Sequence, residues 1–209
     1  MVSIGGRMIK LSESELSCKF EEHKKWIDSL GKEGKRLNID ETDLSKNNIR
    51  SEIYEQAYIT ECTFDNRNIK GISFYLSKLC SSSFKSCNLE KVDFTKADLS
   101  YADFTNSKLC NVNFNKCECI ETDFRNAQFA DIKLTDVLFD TVDLRNAIMH
   151  DIDVSYSSFD AVLVKGISLK NVVGIEKINS ISINVGDIDK TVMLHGIEAI
   201  QWLRNNIKD

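Results

Sequence analysis

The 209-residue sequence has no proline and only nine glycines. Between residues 37 and 171 the only glycines are Gly71 and Gly166. Turns in that stretch therefore fall to Asn, Asp, Ser and similar residues that tolerate turn conformations, and long loops are not expected there. Histidine is nearly absent. His23, His150 and His195 are spread along the chain, so a His-based nucleophile relay or metal centre is not expected. No Gly-rich phosphate loop is present. No run of about 18 apolar residues occurs, so no membrane span is expected. The opening residues, MVSIGGRMIK, lack the continuous apolar stretch of a secretory signal. Seven cysteines form no CxxC pair and show no zinc-ligand spacing. They point to reduced, structural thiols in a cytoplasmic protein.

What the sequence has is a period. Every position ending in 4 or 9 from Ile39 to Leu169 is apolar or aromatic, 27 consecutive repeats without an insertion. Two positions before many of these lies a small or branched residue: Ala57, Ala97, Ala102, Ser107, Val112, Ala127, Val137, Val142 and Ala147. A period of five suits neither ordinary element. Five helical residues turn about 500°, so the apolar residues would spiral around the surface. In a flat strand an odd period alternates between the two faces. Five works if the backbone turns a corner of about 90° every five residues, so that each large side chain points to one axis. Four segments then close a square coil of 20 residues, and coils stack about 4.8 Å apart through strand-like hydrogen bonds. The 135 residues involved would make a column roughly 32 Å long.

Residues 20 apart then lie above one another. Phe64, Phe84, Phe104 and Phe124 stack on one face, and Phe74, Phe94 and Phe114 on the opposite one. Ile and Leu fill most of the other two, which implies a filled core without room for a ligand. Cys62, Cys87 and Cys117 take the small inward position and Cys119 the large one, while Cys80 and Cys110 face outward.

The stretches ADLSY (97–101) and ADFTN (102–106) match the A-(D/N)-(L/F)-x-x pattern, and residues 37–171 resemble the pentapeptide-repeat family. The resemblance implies an all-β solenoid, the right-handed quadrilateral β-helix of that family, with capping helices. It divides the chain into an N-terminal segment (1–36), the repeat coil (37–171) and a C-terminal strand and helix (172–209).

A stacked column has raw ends that need covers. Ser12 and Glu15 form a capping-box pattern, followed by Leu16, Phe20, His23, Ile27 and Leu30 at helical spacing and by Gly31 as a stop. This amphipathic helix is expected to sit on the first coil, and its H23-K-K-W26 stretch is similar to the short helix before the coil in some pentapeptide-repeat proteins. At the other end, SISINV (180–185) is expected to form a last strand. A helix with the apolar stripe Val192, Leu194, Ile197, Ile200, Trp202 and Leu203 should follow. In several family members such a helix joins two coils into a homodimer. Leu194, Ile197, Ile200 and Leu203 are therefore either dimerisation residues or a lid on a single coil.

Charge is unevenly distributed around the coil. Residues 37–171 carry 21 acidic and 15 basic residues, net −6. The face centred on 39, 59, 79, 99, 119, 139 and 159 carries eight acids against Lys78 alone, net −7. The opposite face is net +3. Asp103, Asp123 and Asp143 stack beside Arg125 and Arg145 as a self-compensated ladder, worth little at a surface. The acidic face has no such compensation, which marks Asp98, Glu118, Glu121, Asp140 and Asp160 as the candidate partner-binding residues. Duplex DNA carries one charge per roughly 1.7 Å, so this face is a diluted version of a phosphate backbone.

Some relatives implied by the resemblance mimic DNA, bind DNA gyrase or topoisomerase IV, and protect them from quinolones or toxins. The expected function is a non-enzymatic scaffold that binds a protein partner through its coil surface, without direct contact to nucleic acid or membrane. The alternative partner class is a type II topoisomerase. Asp140 and Asp160 stack one coil apart, as do Asp131 and Asp151, but a tight calcium site needs six to eight oxygens. Neither a metal nor a cofactor is expected.

Overall fold

A computed structural model describes residues 8–47 and 54–208. The repeat position Ile49 lies outside the described residues. Helix α1 (Glu13–Asp28) comes first. The coil follows in short strands: β1 (Asn38–Asp40), β2 (Tyr58–Thr60), β3 (Asn68–Lys70), β4 (Asn88–Glu90), β5 (Lys108–Cys110), β6 (Glu118–Ile120), β7 (Gln128–Lys133), β8 (Leu138–Asp140), β9 (Ile148–Asp153), β10 (Ser158–Leu163) and β11 (Ser168–Val173). A 3-10 turn (Ile175–Lys177) leads to β12 (Ser180–Asn184), β13 (Met193–His195), helix α2 (Gly196–Asn206) and β14 (Ile207–Lys208).

The strands pair in parallel at an offset of 20. Asn68 lies on Asn88, Asn88 on Lys108, Lys108 on Gln128, and Gln128 on Ile148. This is the square coil the period demands. Phe104 is fully buried, stacked between Phe84 at 4.8 Å and Phe124 at 4.9 Å. Phe94 and Phe114 meet it edge-on at 5.9 and 6.3 Å. Aromatic pairs favour these two arrangements, and the Phe ladders form the core of the central coils.

From Gln56 to Asn171 each corner carries a residue in the left-handed region, two places after the large inward one. Asn and Asp hold several of these positions, as expected, including Asn106 and Asp131. Leu76, Lys91, Lys96, Tyr101, Thr141 and Tyr156 hold others, which corrects the expectation that turn-tolerant residues make the corners. Left-handed backbone costs an ordinary L-residue roughly 1–2 kcal/mol. Stacking overrides that cost, because the same residues donate their N–H to the neighbouring coil: Leu76 to Thr95 O (3.1 Å), Lys96 to Asn115 O (2.9 Å) and Tyr101 to Ile120 O (2.7 Å). The Asp of the repeat also shapes the corner. Asp93, Asp103, Asp123 and Asp143 each accept the N–H two residues on, at 2.9–3.0 Å, the geometry of an Asx turn.

Small polar residues at the inward position are fully satisfied. Ser77 donates to Tyr54 O (2.6 Å), Ser82 to Ile59 O (2.9 Å), Thr122 to Leu99 O (2.9 Å) and the Cys117 thiol to Phe94 O (2.8 Å). Each bond ties one coil to the one before it. Cys62, Cys87, Cys117 and Cys119 are buried, Cys80 is half-buried, and Cys110 and Cys18 are exposed. All seven are free thiols. Burial pushes the Cys87 thiol up to about 11 and Cys62 up to about 12.

Helix α1 starts as the sequence suggests. Ser12 Oγ accepts the Glu15 N–H, and Glu15 Oε2 accepts the Ser12 N–H at 2.8 Å. Leu16, Phe20 and His23 are buried against the first coil. Leu30 is exposed, contrary to its place in the helical stripe. The helix ends at Asp28, so the 3.6-residue spacing no longer governs position 30.

The C-terminal end departs further. Strand β12 is present and continues the coil beside β10, with a register shift. The chain then forms β13, antiparallel to β12, with Ile183 opposite Leu194. Helix α2 starts only at Gly196, whose φ of 49° turns the chain into it. Val192 and Leu194 are therefore not on the helix, because the exposed edge of β12 pairs with this stretch first. Beneath α2 an apolar cavity of about 50 Å³ is lined by Leu144, Met149, Val154, Val164, Ile181 and Leu203 among others. This corrects the expectation of a filled core. The Phe ladders give way to Leu, Val and Met there, and the smaller side chains no longer reach the axis. Val164→Ile is expected to raise stability by about 0.5–1 kcal/mol by filling that space. A lower denaturation midpoint in the variant would mean the cavity cannot accept the methyl group.

Candidate functional site: the acidic face

The sheet β6–β8–β10–β12 carries this face. Asp98 bridges to Glu118, Ile120 pairs with Asp140, and Asp140 pairs with Asp160. The stacking thus places Asp98 beside Glu118 and Asp140 beside Asp160, with Glu121 on the corner next to them. Glu118, Glu121 and Asp160 are exposed, while Asp98 and Asp140 are half-buried. Among the described residues, none of the five forms an ion pair with a basic side chain.

Three of the carboxylates accept hydrogen bonds, Asp140 from the neighbouring Thr141 hydroxyl at 2.8 Å. Asp98 accepts the Ser100 N–H at 3.1 Å and a hydrogen bond from the Cys80 thiol. Burial alone would raise its pKa, but the donors at Cys80 and Ser100 and the nearby Lys78 charge outweigh it and leave it lowered. Asp160 accepts the Ser182 hydroxyl at 2.6 Å. Among the described residues, no side-chain hydrogen bond or ion pair ties Glu118 or Glu121 to the coil, and both carboxylates face solvent.

The face is not purely polar. Tyr101, 43% exposed on a left-handed corner, and Leu138, 41% exposed beside Glu118, sit among the acids. Sequence reasoning passed over both. Their signal was a large apolar residue in an outward slot of the repeat.

The neutral face behaves as the ladder the sequence implies. Arg125 grips Asp123 at 2.5 Å and reaches Asp143 at 3.6 Å, Arg145 pairs with Asp143 at 2.6 Å, and Lys85 with Asp103 at 3.0 Å. The three histidines are separated, on α1, β9 and β13; His150 pairs with Asp151 at 2.8 Å. Among the described residues, no group of three or more His, Cys, Asp or Glu is arranged to hold a metal ion. No described helix is long and apolar enough to cross a membrane.

The remaining candidate residues lie at the C-terminal end. Leu194, Ile200 and Leu203 are partly buried against the core, together with Trp202. Ile197 points away and is 72% exposed.

The model of the pentapeptide repeats matches residues 74–115 and 122–159 in eight copies. The coil belongs to the pentapeptide-repeat family. No curated protein matches the sequence. Among solved structures, this pentapeptide-repeat chain is similar to HetL, a pentapeptide repeat protein involved in heterocyst differentiation regulation from the cyanobacterium Nostoc sp. strain PCC 7120. The identity is 17%, over 78% of this chain and 81% of HetL, with a TM-score of 0.39. It is also similar to Rfr23 from the cyanobacterium Cyanothece 51142, at 15% identity over 56% of this chain and 90% of that one, TM-score 0.34. Full-length QnrB1, a plasmid-mediated fluoroquinolone resistance protein, matches at 15% identity over 69% and 89% of the two chains, TM-score 0.26.

Proposed function

We propose that this pentapeptide-repeat coil is a non-enzymatic cytoplasmic scaffold that binds a protein partner through its acidic face. The observation that carries the reading is the contrast between two faces of one column. The ladder of Asp123, Asp143, Arg125 and Arg145 neutralises itself. Asp98, Glu118, Glu121, Asp140 and Asp160 stand without basic partners around the exposed Tyr101 and Leu138. Unpaired charge steers a basic partner, and exposed apolar side chains supply contact area once it arrives. Affinity capture with the wild-type chain and two variants as baits tests this. A partner held by the wild-type chain should be lost by Glu118→Lys/Glu121→Lys and kept by Lys91→Glu/Lys108→Glu on the opposite face. Equal retention by both variants would remove the acidic face from the interaction.

A second reading, binding to a type II topoisomerase by DNA mimicry, draws on the family resemblance and on the same unpaired carboxylates. A supercoiling assay with gyrase, with and without a quinolone, decides it.

The C-terminal end supports a lid more than a dimer. Leu194, Ile200 and Leu203 are already committed to the core, and Ile197 alone of the four is left facing outward. The full chain is expected to sediment as a monomer at tens of micromolar. A dimer that Ile197→Glu dissolves would establish the dimerisation reading instead.

A further inference from the structure

Helix α1 is latched to the first coil by a buried imidazole. His23 has no exposed surface. Its Nδ1 accepts the Leu37 N–H at 3.0 Å, and its Nε2 lies 2.9 Å from the Glu55 carbonyl oxygen. A carbonyl oxygen only accepts, so Nε2 carries the proton and the ring is neutral. One ring thereby joins three segments: α1, the connection into β1, and the chain entering β2. Protonation would make both ring nitrogens donors. Nδ1 would then face the Leu37 N–H donor to donor, with a buried charge added.

We propose that α1 is an acid-released cap, in which protonation of His23 unlatches the helix and uncovers the apolar N-terminal end of the column. What would be uncovered is Leu37, Ile39, Leu44 and Tyr54, now covered by Leu16 and Phe20, with Phe20 edge-on to Tyr54 at 5.0 Å.

The charged neighbours do not stabilise an imidazolium. From the connecting segment Arg36 stacks on Trp26 at 4.4 Å and on Tyr58 at 4.7 Å, and its charge opposes a second one nearby. On α1 itself, Lys19 reaches the Asn38 carbonyl at 3.3 Å and Glu22 is paired with Lys25 at 2.6 Å. Lys35 is tied by its N–H to the Glu22 carbonyl at 3.1 Å. From the first coil Glu55 contributes its backbone oxygen. Burial, opposed by the Glu55 carbonyl and reinforced by Arg36, holds the ring below its ordinary pKa.

The sign follows from linkage. The released ring binds a proton more readily than the latched one, so the latch is at full strength above about pH 6.5 and weakens as pH falls below it. With one proton taken up on release, the opening constant rises up to about tenfold per pH unit below that point, until the latched ring itself protonates.

Hydrogen exchange on the full chain tests this. After correction for intrinsic exchange, the Leu37 amide should exchange about tenfold faster at pH 5.5 than at pH 7.5. The inner face of α1 should follow it, while amides around Phe104 stay unchanged. His23→Gln and His23→Leu, which cannot titrate, should show no such pH dependence whatever their baseline. A flat wild-type profile, or variants that keep the wild-type slope, would overturn the proposal. If neither variant folds, an NMR titration of the wild-type His23 ring decides. A ring that protonates near pH 6.5 or above while Leu37 stays protected rules the latch out. A lowered pKa accompanied by loss of α1 protection supports it.

Discussion

Phe104→Ala is expected to destabilise the coil by about 3–5 kcal/mol, the range of a buried aromatic truncated to alanine. The upper half of that range applies. The ring is fully buried, stacked on Phe84 and Phe124 and met edge-on by Phe94 and Phe114. Removing it breaks one Phe ladder in the middle and undercuts the other. The coils above and below cannot close the gap, because backbone hydrogen bonds such as Phe104 N–H to Asp123 O, at 2.7 Å, fix their spacing. The matched control is Asn106→Gly. Asn106 is exposed on a corner with φ of 59°, a conformation glycine adopts freely. It should stay within about 1 kcal/mol of wild type. Urea denaturation of both variants checks the pair, and similar midpoints would contradict the inward and outward assignment of the repeat.

Reversing the charge of Glu118 and Glu121 to Lys is expected to slow association with the partner by at least about tenfold at 50 mM salt. Both side chains are exposed and neither points to the axis, so the column itself should be unaffected. The difference from wild type should shrink as salt rises to about 200 mM, because screening shortens the range of the steering field. Reversal of Lys91 and Lys108 on the opposite face should change the association rate little. Arg67 and Lys70, on the same face, suit the control less well. Arg67 donates to the Ser45 carbonyl at 2.9 Å and Lys70 pairs with Glu90 at 2.8 Å. The Tyr101→Ser and Leu138→Ser changes should act differently, raising the dissociation rate with little salt dependence. Surface plasmon resonance at two salt concentrations separates the two classes. If acidic and apolar variants both slow association equally, steering is not the role of this face.

The repeat, the two Phe ladders, the four inward cysteines of the coil, the capping box of α1 and the compensated Asp–Arg ladder were all legible in the sequence. A strict five-residue period leaves one geometry in which every large side chain reaches the same axis. Once the offset of 20 follows, each side chain's neighbours above and below are determined as well. Local signals failed where a distant partner outweighed them. Leu76, Tyr101 and Thr141 occupy left-handed corners that their own preferences oppose, because the stacked coil holds their N–H groups. Val192 and Leu194 show helical spacing, yet the open edge of β12 takes Leu194 into a strand and delays the helix to Gly196.

The acidic face was also partly legible. Its charge could be counted from the period, but exposure and partners depend on contacts between coils. Only the tertiary structure separated Asp98 and Asp160, engaged with Cys80 and Ser182, from the free Glu118 and Glu121. It also placed Tyr101 and Leu138 among them. The role of His23 was hidden for the same reason. Its helical spacing announces a buried face, but the two backbone groups it bridges, at Leu37 and Glu55, lie 14 and 32 residues away. A periodic sequence by itself determines a periodic core. The ends and the surface, where the period stops or carries no side-chain requirement, are decided by which backbone groups and side chains the folded chain leaves without partners.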